Sequence, residues 1–118
     1  MSTRRPIDPL LWMGFGAGGT IAAMVLPVLV ALLGVLVPLG LIQGPSREDV
    51  LSLVQSPVVR AGLWLAFALC LFHSAHRLKY TLYDGLQIKH LNELIYTGCY
   101  GGAVAGASFA AWVLVQLP

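Results

Sequence analysis

Charge is what this sequence has least of. Charged residues make up 10% of its 118 positions and hydrophobic ones 58%, whereas a soluble domain carries about 25% charged residues. No charged residue lies between Asp8 and Arg47, and none follows Glu93. Runs of that kind exclude a surface helix of a soluble domain, and so short a chain has too little interior to hide them from water. Cysteine is scarce as well. Cys70 and Cys99 stand singly in apolar runs, with no C-x-x-C pair and no zinc-type Cys/His spacing. Zinc or iron–sulfur ligation by this chain alone is thereby excluded, and both thiols read as small packing residues. Carboxylates are missing from the depth of every apolar run, which argues against a proton-coupled transporter or multidrug exporter, since those need an acid within the membrane. No nucleophile–base arrangement is present either. The sequence therefore assigns no catalytic residue and no metal site, and no nucleic-acid partner is expected.

What is present is three long apolar segments. The expected fold is an all-α membrane protein of three transmembrane helices, a single membrane-anchor domain with spans at about 11–41, 57–83 and 93–117. The first follows Arg4 and Arg5 but far exceeds the 7–15 residues of a signal-peptide core, so it reads as a retained span. Pro27 is its expected kink, and Pro38 and Gly40 mark its end. A polar turn follows, and Ser46 is placed to cap a short interfacial helix over 50–55. The second span opens on Pro57 and is bracketed by Arg60 and Arg77, seventeen positions or roughly 26 Å apart on a helix, so both can snorkel to opposite interfaces. The third carries Gly98, Gly102 and Gly106 at four-residue spacing, a face for close helix approach, with Trp112 at the far interface. Arg4, Arg5, Arg77, Lys79 and Lys89 fall on one side and only Arg47 and Arg60 on the other, which predicts a cytoplasmic N-terminus and an outside C-terminus.

Gly14-Phe15-Gly16-Ala17-Gly18-Gly19 spells G-x-G-x-x-G, but no strand precedes it and no βαβ unit surrounds it. Gly14 and Gly18, four apart, read instead as a helix-packing face. The richest polar stretch is 73–84 at the end of span two. At about 100° per residue, Arg77, Tyr80 and Asp84 project within roughly 40° of His73, with His76 roughly 60° to one side. Arg77, Lys79, Tyr80 and Tyr83 suit interfacial anchoring. His73 lies about one turn deeper and needs a partner. Histidine and arginine can hold a carbonyl oxygen, and histidine can move protons. An apolar slot with a few such groups is what a membrane quinone requires. Trp12 opens span one at the same level.

The order Trp12…Gly14-Phe15-Gly16-Ala17-Gly18-Gly19…Pro27-Val28…Gly34…Pro38-Leu39-Gly40, with His76-Arg77-Leu78 closing span two and Asp84 beyond it, resembles the D subunit of bacterial fumarate reductase. The resemblance covers about residues 4–118. It implies a small anchor in the bacterial inner membrane that pairs with a second membrane anchor, the C subunit, and holds a flavoprotein and an iron–sulfur protein on the cytoplasmic face. It further implies anaerobic respiration with electrons taken from menaquinol, and a quinone site to which Trp12, His76 and Arg77 correspond, with His73 nearby. Ten residues separate His73 from Asp84, similar to the His-x10-Asp pattern of succinate dehydrogenase anchors that bind haem b, but Gly85 stands where those carry tyrosine. Haem is not expected. The alternatives are that succinate dehydrogenase anchor, and a purely structural anchor with no quinone contact.

Overall fold

A computed structural model describes residues 8–118; Arg4 and Arg5, which enter the expected orientation, lie outside the described residues. All regular structure among these residues is helical, and three helices are long and apolar enough to cross a membrane: Pro9–Leu36, Pro57–Gly85 and Lys89–Gln116.

The first span is α1 (Asp8–Leu29), continued by a π-helical stretch over Val30–Leu36. Pro27 sits inside the helix, and the register widens one turn beyond it, with the Val37 amide donating to the Leu32 carbonyl at 3.0 Å. A proline lacks the amide that would close the α-helical bond to the carbonyl four residues back, and Pro38 repeats that loss. The seven-residue π stretch therefore lies between two positions that cannot sustain the ordinary ladder. Gly40 takes a positive φ of 71°, which turns the chain out of the helix. The helical part of the span thus stops short of the expected residue 41.

Ser46 does cap a helix. It opens α2 (Arg47–Val54), which begins three residues ahead of the expected 50–55. The Asp49 amide donates to Ser46 Oγ at 3.1 Å, and the Asp49 carboxylate accepts from the Ser46 amide at 3.2 Å and hydroxyl at 2.6 Å. This reciprocal box satisfies donors that a helix start leaves open. Hydrogen bonding to Ser46 holds the Asp49 carboxyl below its ordinary value.

The second span, α3 (Pro57–Gly85), has proline in its first turn, where no amide is needed. It runs through Asp84-Gly85, and the chain turns at Gln87, with φ at 52°. A 3₁₀ turn (Lys89–Leu91) leads into α4 (Asn92–Gln116). The central member is α3, on which α1 and α4 both pack.

Small residues decide how close α1 comes. Gly18 is buried, and a Cβ there would collide with the Leu69 carbonyl of α3. At Gly19 a Cβ would stand 2.6 Å from Cε1 of His73, and at Gly14 it would meet Phe72 at 3.8 Å. The G-x-G-x-x-G segment is therefore a packing surface. On the other side of α3, Gly106 abuts Leu71, and the Trp64 indole donates to the Ala107 carbonyl at 2.9 Å. At Gly98 and Gly102 an added Cβ would meet nothing within 4 Å among the described residues, so among these residues the expected glycine face of α4 is used at Gly106 only.

Arg60 does more than snorkel. Its guanidinium is half-buried, with Nε donating to the Val54 carbonyl at 2.5 Å and a terminal nitrogen donating to the carbonyls of Leu117 and Pro118, each at 3.0 Å. It ties the end of α2 to the end of α4, where helix carbonyls lack intrahelical partners and positive charge is favoured.

Candidate quinone site

At the opposite end of α3 from Arg60, rings from three helices close on one another. Phe72, His76 and Tyr80 recur every four residues and share one face of α3. From α1, Trp12 and Phe15 approach His76, with ring centroids 6.1 and 4.7 Å away. From α4, Tyr100 sets its hydroxyl 2.6 Å from His76 Nδ1, and Tyr96 lies against Tyr100 at 4.9 Å. Trp12, Phe72, His76, Tyr80, Tyr96 and Tyr100, with Leu11 and Lys79, line a cavity of 390 Å³. That volume is within the range of small-molecule pockets, and the mix of apolar walls with a few converging polar groups is their usual chemistry.

Lys79 is the only cation among the lining residues. Its ammonium stands 5.1 to 5.7 Å from the ring centroids of Tyr80, Tyr83, Tyr96 and Tyr100. Electron-rich ring faces stabilise a cation at that range, so Lys79 is held at the cavity edge rather than extended freely as an interfacial anchor.

The four residues singled out in the sequence are dispersed. Trp12 and His76 share the cavity. His73 does not line it: its ring stacks on Phe15 at 4.3 Å and 13°, and its Nδ1 pairs with the Phe15 carbonyl at 2.9 Å. The partner that its depth demands is the backbone of α1. Phe15 covers one face of the ring, and the backbone of α1 at Gly19 lies close beside it. Asp84 lies outside the cavity and lines a separate polar depression with Tyr83, Gln87 and Lys89, so His73 and Asp84 are not brought together. Arg77 is likewise outside the cavity, because the residue after His76 points about 100° away around the helix.

Sequence reasoning did not single out Phe72, Tyr96 or Tyr100. A signal existed: Phe72/His76/Tyr80 and Tyr96/Tyr100 are aromatic sets at four-residue spacing on their helices. What the spacing lacked was the register of α4 against α3, which alone carries Tyr100 to His76.

The family model for the fumarate reductase D subunit matches residues 2–115. The chain belongs to this fumarate reductase family. It is 39% identical over 116 residues to the fumarate reductase D subunit of Mycobacterium tuberculosis strain H37Rv, covering 98% of this chain and 93% of that protein. It is 35% identical over 119 residues to the corresponding protein of Shewanella putrefaciens, covering 98% and 96% respectively. Members of the family are membrane components of the fumarate reductase complex, accessory to the catalytic one. With its three candidate spans, the chain is a multi-pass membrane protein.

Proposed function

We propose that this chain anchors the flavoprotein and iron–sulfur subunits of fumarate reductase to the bacterial inner membrane, paired with the C subunit, and contributes one wall of a menaquinol site used in anaerobic respiration. The observation that carries the reading is the cavity at His76, where Trp12 and Phe72 supply flat apolar walls and His76, Tyr100 and Lys79 supply hydrogen-bonding and charged groups. Such a mouth suits a planar ring bearing two oxygens, with an apolar tail left in the lipid. The positive-inside bias of Arg77, Lys79 and Lys89 supports a cytoplasmic level for this end of α3, with the N-terminus inside and the C-terminus outside. Bound menaquinol would supply electrons and protons. His76 would hold a quinone oxygen and accept a proton, Trp12 would flank the ring, and His73 would brace Phe15 from beneath. Arg77 would act from the rim.

The test compares quinol-linked with dye-linked fumarate reduction in membranes. His76→Gln should lower the quinol-linked rate about a hundredfold, and Arg77→Leu about tenfold, with the dye-linked rate intact in both. Equal loss of both activities would indicate an assembly defect and count against the quinone role; unchanged quinol-linked activity in both variants would remove it.

A further inference from the structure

We infer that Tyr100 is a positioning residue of this site: its hydroxyl holds the Nδ1 side of His76, leaving Nε2 as the nitrogen offered to the quinol hydroxyl. The inference rests on the menaquinol reading above and adds a residue from α4 that nothing in the motif around His76 points to.

Two histidines one turn apart are held in chemically different ways. His73 Nδ1 faces the Phe15 carbonyl, which can only accept, so that nitrogen must carry hydrogen and the tautomer is locked. His76 Nδ1 faces a phenol hydroxyl at 2.6 Å, which can donate or accept. When the Tyr100 hydroxyl donates to Nδ1, the hydrogen of the neutral ring sits on Nε2, which can then donate to a quinone carbonyl. When Nδ1–H donates to the Tyr100 oxygen, Nε2 presents a lone pair to a quinol hydroxyl. In the second state the quinol O–H bond breaks, an N–H bond forms at Nε2, and the imidazolium keeps its Nδ1–H bond to the Tyr100 oxygen. His76 thus takes one of the two quinol protons, the second leaves from the opposite hydroxyl to solvent, and the two electrons pass through the complex to fumarate. One hydroxyl thus supports His76 both as donor and as proton acceptor.

The geometry permits little else. The His76 ring is flanked by Phe15 at 4.7 Å, Tyr80 at 5.0 Å and Phe72 at 6.0 Å, and turning the ring over would break the bond from Nδ1 to Tyr100. Of the titratable groups around it, Lys79, Tyr80 and His73 come from α3, and Tyr96 and Cys99 flank Tyr100 on α4. The α1 neighbours Trp12 and Phe15 do not titrate. Tyr100 is the one that bonds the ring directly.

The experiment measures quinol-linked and dye-linked fumarate reduction across pH in membranes carrying the complete complex. Tyr100→Phe keeps the ring and removes the hydroxyl. The expected result is an intact dye-linked rate, a quinol-linked kcat about tenfold lower, a KM for quinol close to the parent's, and an acidic limb moved to lower pH, because the charged ring loses its acceptor; a limb moved to higher pH would contradict the role. In a His76→Gln background the same change should cost nothing further. An unchanged kcat and pH profile in Tyr100→Phe, with His76→Gln still defective, would overturn the role of Tyr100 and leave the quinone reading standing. Full activity in both variants would overturn the quinone reading itself. If Tyr100→Phe does not assemble, 3,5-difluorotyrosine at position 100 preserves shape and weakens the phenol as an acceptor. A shift of the acidic limb to lower pH is expected, and an unmoved limb would overturn the inference.

Discussion

At Gly18 one added carbon would meet the Leu69 carbonyl, and no flexible side chain stands there to yield. Gly18→Ala must therefore push α1 away from α3, at a cost of about 1–3 kcal/mol. It should lower the midpoint of thermal unfolding of the purified complex, while Gly16→Ala, where a Cβ meets nothing within 4 Å, should leave it unmoved; equal midpoints would contradict the packing described. The glycine face of α1 was legible in the sequence from spacing alone. The division of labour between the histidines was not. His73 and His76 are both polar residues in an apolar run, and only the approach of Phe15 to one and Tyr100 to the other separates a braced histidine from one open to a ligand. Lys79 is similar, since its neighbours Tyr80 and Tyr83 are local but Tyr96 and Tyr100 arrive from another helix.

Among the elements, the three long helices were legible because uncharged runs of that length have one physical outcome in a bilayer. Their ends were less so. Capping chemistry fixed the start of α2 at Arg47, earlier than apolar periodicity indicated, because the Ser46–Asp49 box organises a first turn of polar residues. That box makes a pH prediction. Asp49 titrates lower in the folded helix than in an open chain, owing to its hydrogen bonds with Ser46. Its contribution is therefore full above the ordinary carboxylate range and is lost as pH falls through the lowered value. Amide exchange at Asp49 and Val50, corrected for the intrinsic pH dependence of exchange, should lose protection below about pH 4, and Asp49→Asn should remove most of that dependence. Protection that ignores pH across this range would contradict the box. The π-helical stretch of the first span was not legible, because its cause lies in two prolines eleven residues apart acting on one ladder.

As a whole molecule, the chain is nearly all surface. Among the described residues only Val54, Ala75 and Ile95 are buried hydrophobics, while the outward faces of all three spans present large apolar side chains. Hydrocarbon and neighbouring subunits must cover them, as expected for a family of membrane proteins that work in a complex. Tagged chain isolated in mild detergent should bring down flavin, the iron–sulfur protein and a second anchor, and the reduced preparation should show no haem α-band. Isolation without flavin or iron–sulfur protein would contradict the anchoring role, and an α-band would turn the reading toward a haem-bearing anchor. On the function proposed above, this chain forms part of the wall of a quinone pocket. Photoaffinity labelling of the complete complex with an azido-quinone tests it most directly: the label should be found on segments of this chain holding Trp12, His76 or Tyr100 and be lost in the presence of excess menaquinone analogue, whereas labelling confined to the other subunits would contradict it.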